Sequence, residues 1–143
     1  MNKEVKKEVE QIIEFYELDC SVEKFSHLDE SYWSGISYNF TLSEDFIREF
    51  KDKVYWVYMS RDQDLSENFI REFKDKVDWL YISWYQSLSI NFIREFKDEI
   101  NLFYLLENDC ISEEIRQKIK DETIFIEPIP LYPENNFSLL DIE

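Results

Sequence analysis

Glycine is almost missing from this chain: Gly35 is the single example in 143 residues. The three prolines, Pro128, Pro130 and Pro133, all fall late in the sequence. No flexible linker and no glycine-rich phosphate loop is therefore expected, and turns must rely on Ser, Asp and Asn. His27 is the only histidine; beside Ser26 and Asp29 it reads as a surface or capping residue rather than a base. Cys20 and Cys110 lie far apart with no C-x-x-C spacing, and read as two reduced thiols of an intracellular protein. No apolar run approaches the length of a membrane span. The lysine-rich start, Asn2 to Lys7, is interrupted by Glu4 and followed by Glu8, so it does not read as a signal peptide. A cytoplasmic location is expected. Positive charge is also scarce, with 16 Lys and Arg against 32 Asp and Glu, a net charge of −16. Residues 1–41 and 111–143 each contribute −5 of this, and the stretch between is closer to balance. That field disfavours direct binding to nucleic-acid phosphates or an anionic membrane, and favours a basic protein partner.

What the chain has in abundance is repetition. Phe-Ile-Arg-Glu-Phe-Lys-Asp begins at Phe46, Phe69 and Phe92, each start 23 residues after the last. The units run Leu42–Asp64, Leu65–Ser87 and Leu88–Cys110. A degenerate start follows at Ile111-Ser112-Glu113. A half-unit precedes them, in which Tyr32-Trp33, Ile36-Ser37 and Phe40 fall one period before Tyr55-Trp56, Met59-Ser60 and Gln63. A unit this short cannot bury its own apolar face and must pack on its neighbours.

Ser43, Ser66 and Ser89 are helix N-cap signals, followed by acidic Glu44, Asp45 and Glu67. Phe69, Ile70, Phe73 and Val77 describe one helical face, with Arg71–Asp75 and Glu72–Lys76 pairs expected at i, i+4 on the other. In the second half-unit, Trp79, Ile82, Ser83 and Gln86 recur at i, i+3, i+4, i+7, which predicts a second helix capped by Asp78 or Asn101. The small Ser60 and Ser83 would let neighbouring helices approach. The β-formers of Val54 to Met59 leave a helix–strand alternative.

The expected fold is thus all-α: a short αα-repeat solenoid forming one domain. Residues 1–19 supply an N-terminal capping helix that turns Val5, Val9, Ile12, Ile13 and Tyr16 inward, residues 20–122 the array, and residues 123–143 an extended cap or tail. In that last segment Thr123 to Ile126 are strand-like, and Phe137 to Leu140 form an apolar cluster suited to capping the array or to binding a partner. An α/β solenoid is the alternative. Phe and Trp residues, part of a 17% aromatic content, are expected mostly in the core.

Leu65-Ser-Glu-x-Phe-Ile70, followed by Asp75-Lys-Val-Asp-Trp-x-x-Ile-Ser83, resembles a short tandem repeat of large DNA viruses, phages and mobile elements. The resemblance spans roughly 100 residues. It implies an origin on such an element, but no activity, cofactor or catalytic residue.

The sequence carries no recognisable catalytic or metal-ligating motif, so no enzyme activity, metal or cofactor is expected. Where the copies disagree is more informative. Positions 61/84/107, 62/85/108 and 64/87/110 follow the second element and should line one edge. There Asp62, Asp64, Trp84, Tyr85, Glu107 and Asp109 would form an acidic ridge with an aromatic centre, the makeup of a hot spot facing a basic partner. The expected function is a non-enzymatic inhibitor that covers the basic nucleic-acid-binding surface of a host defence protein, of anti-CRISPR or anti-restriction type, by partial nucleic-acid mimicry. The charge at the chain ends argues against pure mimicry. A structural or adaptor repeat protein is the alternative.

Overall fold

The computed structural model describes residues 1–121, and all regular structure among these is helical. The expectations for residues 123–143 lie outside the described residues. After α1 (Lys3–Phe15) and a 3₁₀ turn (Val22–His27) come α2 (Glu30–Asn39), α3 (Glu44–Glu49), α4 (Trp56–Asp62), α5 (Glu67–Glu72), α6 (Trp79–Tyr85), α7 (Ile90–Glu95), α8 (Leu102–Leu106) and α9 (Glu113–Asp121). The second half of each unit is therefore helix, and the strand alternative for Val54 to Met59 is not adopted. Helices α2, α4, α6 and α8 pack in series, each against the next.

Helices of five to seven residues are far below the roughly 12–15 at which isolated helices become even marginal in water. Their ends are fixed locally. Ser43, Ser66 and Ser89 accept from the amides of Phe46, Phe69 and Phe92, while Asp78 and Asn101 cap α6 and α8. The first helix is shorter than the sequence implies: α5 stops at Glu72, and Val77 is reached only after a turn. Val77 is nonetheless buried, as are Phe69, Ile70 and Phe73.

Stability comes from between the units. Phe46, Phe69 and Phe92, with Ile47, Ile70 and Ile93, are fully buried, each worth about 1.5–3 kcal/mol on removal from water. The indole of one unit packs on the Phe pair of the next: Trp33 on Phe50 at 5.2 Å, Trp56 on Phe73 at 5.0 Å, Trp79 on Phe96 at 5.0 Å.

Polar ladders run alongside. Buried Ser37, Ser60 and Ser83 accept from the backbone amides of Tyr55, Asp78 and Asn101 at 2.9–3.0 Å. Each serine is an acceptor for the following unit as well as a small residue. Gln63 Oε1 accepts from Leu42 N, and its Nε2 donates to Phe40 O. One unit on, Gln86 accepts from Leu65 N and donates to Ser60 O and Gln63 O. Asn108 donates to Ser83 O and Gln86 O. Arg116 of α9 then donates to Leu106 O and Asn108 O, so a guanidinium takes the amide's place at the last step.

The expected Arg71–Asp75 and Glu72–Lys76 pairs do not form, because residues 73–76 have left the helix. The charges pair between units instead. Arg48 Nε meets Glu72 at 2.8 Å, Arg71 Nε meets Glu95 at 2.9 Å, and Lys76 reaches back to Asp52 at 3.4 Å. Glu44 and Glu67 accept from the amides of Ser66 and Ser89, and Glu8 of α1 does the same for Ser43. Helix α1 thus enters the array as though it were a preceding unit.

At α1's exit Glu17 sits at φ 51°, and Leu18 N and Glu17 N donate to Ile13 O and Glu14 O, the left-handed helix termination that glycine favours. Glu17→Gly should raise unfolding free energy by about 0.5–1 kcal/mol in urea titration. Gln86→Leu strands one amide and two carbonyls and should cost about 3 kcal/mol or more. Arg71→Ala, removing a half-exposed pair, should cost less than about 1 kcal/mol.

Candidate interaction face

A seven-residue helix that turns Trp79, Ile82 and Ser83 toward the core should carry polar residues on its other side. Helix α6, Trp-Leu-Tyr-Ile-Ser-Trp-Tyr, carries no charge at all. At 100° per residue, Leu80, Tyr81, Trp84 and Tyr85 point away from the core. Leu80 and Tyr85 are 37% and 40% exposed, and Tyr81 and Trp84 are half-buried. The rings order one another: Trp84 stacks on Tyr85 at 4.9 Å and meets Tyr104 of α8 at 4.7 Å, while Tyr81 stacks on Tyr85 at 6.1 Å.

The same face continues on both neighbours. On α4, Val57 is exposed and Tyr58 lies under the Arg61 guanidinium at 5.3 Å. On α8, Phe103 is 56% exposed and meets Tyr104 edge-on. Tyr38 of α2 extends the aromatic surface, 5.5 Å from Tyr58. The face changes at the first unit. Gly35 stands in the column of Tyr58, Tyr81 and Tyr104, and the Tyr16 hydroxyl lies 2.8 Å from where a Cβ would be. Tyr16, at the C-terminal end of α1, therefore covers this end of the aromatic surface, and glycine is the residue that leaves it room.

The six residues of the expected ridge all lie at or just beyond the C-terminal ends of α4, α6 and α8. Trp84 and Tyr85 are in direct contact, and Trp84 also packs against the Tyr104 ring. Asp62 is held by Arg61, with oxygens at 2.7 and 2.8 Å, and this hydrogen-bonded carboxylate pushes the guanidinium pKa up. Asp64, Glu107 and Asp109 are exposed, with no contact joining them to the rings. The 62/85/108 column breaks at its last member. Helix α8 ends early at Leu106, and the shifted chain carries Asn108 into the buried amide ladder. It is not an edge residue.

Sequence reasoning missed the column Val57, Leu80, Phe103. Its signal was present as apolar residues off the buried stripe, at the 23-residue spacing. Phe15 is likewise exposed rather than buried.

Elsewhere, a groove of about 510 Å³ lies between α2 and the turn before α4, lined by Leu28, Glu30, Trp33, Asp52, Lys53 and Tyr55 among others. Trp56 and Trp79 donate to Lys51 O and Lys74 O, but the Trp33 Nε1 is buried without a partner among the described residues. Cys20 and Cys110 are free, and His27 is exposed. Among the described residues no three His, Cys, Asp or Glu side chains are grouped as metal ligands, and no helix is long and apolar enough to cross a membrane.

Comparison of the chain with protein-family models, curated proteins and solved structures gave no match.

Tyr55 donates its hydroxyl to Glu30 at 2.8 Å, which raises its pKa, because losing the proton would set a phenolate against a carboxylate. The linked stability is present below the ordinary tyrosine value of about 10 and is lost as pH rises through the higher folded value. A phenolate absorbance titration should show one late-ionising tyrosine, moved earlier by Glu30→Gln.

Proposed function

We propose that this chain is a small helical-repeat solenoid, capped by α1, that binds another protein through the outer face of α4, α6 and α8. One observation carries this reading: α6 keeps four uncharged, mostly aromatic side chains on the side where a solvent-facing helix should be polar. The rings are already ordered by mutual contact, so little side-chain entropy remains to be lost on binding. Carboxylates follow at the C-terminal ends of α4 and α8, at Asp62, Asp64, Glu107 and Asp109, within a chain of net charge −16. A partner with a basic, partly apolar surface fits both properties.

In its most specific form the partner is a nucleic-acid-binding host protein, and the chain acts as an inhibitor by occupying the path of the nucleic acid. The overall charge and the repeat resemblance support that form. The uncharged α6 face supports a plainer one, an adaptor held mainly by apolar contacts. The two differ in salt response, since charge-led association weakens steeply with ionic strength and apolar association does not.

The test is affinity capture with the wild-type chain and the Trp84→Ala/Asp62→Lys variant on parallel supports, each partner then being assayed for nucleic-acid binding. The inhibitor form expects a basic partner retained by wild type only, released by moderate salt, and prevented from binding nucleic acid. Equal retention by the variant would remove this face as the site. Retention that ignores salt would favour the adaptor form.

A further inference from the structure

The α4–α6–α8 face carries a second regularity, finer than its composition. Val57, Leu80 and Phe103 occupy one column, each 23 residues after the last, and all three are exposed, at 43%, 37% and 56%. They stand on three helices that pack in series. Packed helices lie about 8–10 Å apart, so the column presents one apolar side chain at roughly that interval along the array. An α-helix presents same-face residues i, i+7 and i+14 at intervals of about 10.5 Å. A β-strand does not match: its same-face residues recur at about 6.8 Å and then about 13.6 Å.

We infer that the occupant of this face is a basic amphipathic helix, laid along the array across α4, α6 and α8, with apolar residues recurring every seven positions. This deepens the protein-binding reading above and rests on it. Val57, Leu80 and Phe103 would receive the apolar stripe in register. The aromatic row of Tyr58, Tyr81, Trp84 and Tyr104 flanks the column and offers π faces to Lys or Arg. Arg61 already occupies one such face, over Tyr58. Glu107, Asp62, Asp64 and Asp109 lie beyond the rings, toward the C-terminal ends of the three helices, and suit the basic side of the same partner helix.

Three labelled synthetic peptides of equal length test this against the full chain by fluorescence anisotropy. One carries Leu at i, i+7 and i+14 among Lys, Arg and Ala. A second has the same composition with its leucines at i, i+2 and i+4. A third is the heptad peptide with Glu in place of Lys and Arg. The expected result is binding of the first alone, weakened roughly tenfold or more by Leu80→Asp or Phe103→Asp, with unchanged circular dichroism and melting. Leu80→Asp is discriminating because it adds negative charge: attraction by charge alone would tighten a basic peptide's binding. Equal binding of both basic peptides, undiminished in Leu80→Asp, overturns the helix while leaving a basic partner standing. Failure of both basic peptides to bind removes the helix and the basic-partner reading together. A wild-type dimer in sedimentation that becomes monomeric in Leu80→Asp would assign the face to a second copy of the chain and overturn the proposal.

Discussion

Backbone groups between very short helices have to be bonded by something outside their own unit. That constraint governs this molecule. A five- to seven-residue helix leaves most of its terminal amides and carbonyls without an internal partner, and burying them unpaired costs on the order of 1–3 kcal/mol each. Here buried side chains of adjoining units meet the need: serine hydroxyls accept from the amides that open the second helices, and Gln63, Gln86 and Asn108 bond the carbonyls that close them. A unit removed from the series would lose apolar cover and backbone partners together.

The ends show the same rule under different chemistry. Helix α1 is not a repeat, yet Glu8 bonds Ser43 as Glu44 bonds Ser66 and Glu67 bonds Ser89. Its Tyr16 also occupies the space left at Gly35. At the other end, Arg116 donates where a glutamine would have done so. An arginine is suited to a terminal step because its charge needs compensation, and Glu113 lies 3.1 Å from it. Between the ends, the copied Arg and Glu columns are spent on one another across units. This leaves the outer face of the second helices, where the copies differ, as the surface with unassigned side chains.

Much of this was legible in the sequence. The helical second half was the favoured of two readings, with the β-formers of Val54 to Met59 leaving a strand open. The period, the serine caps and the buried Phe-Ile pairs follow from spacing and residue type. The pairing of Arg71 and Glu72 did not, because i, i+4 logic assumes a helix that continues. Phe73 ends it, and the partners become residues about 24 positions away. The amide ladder was visible only as a recurring Gln at i+7; which carbonyls it reaches depends on how the units pack. Asn108 shows the limit most clearly. Alignment by column placed it on an edge, and a helix ending early placed it in the core. Of the six ridge residues, Trp84 and Tyr85 are in ring contact, while the exposed Val57–Leu80–Phe103 column was not singled out, because those residues fall off the periodic stripe that was read as core.

Native-state hydrogen exchange at the inter-helix amides tests the central claim most directly. The amides of Leu42, Leu65, Tyr55, Asp78 and Asn101 lie outside the helices, and each donates to a side chain. If the ladders hold the units together, these amides should exchange only through global unfolding, as slowly as those inside α4 and α6. Exchange at the rate of exposed turn amides such as Asp52 and Asp75 would contradict the account.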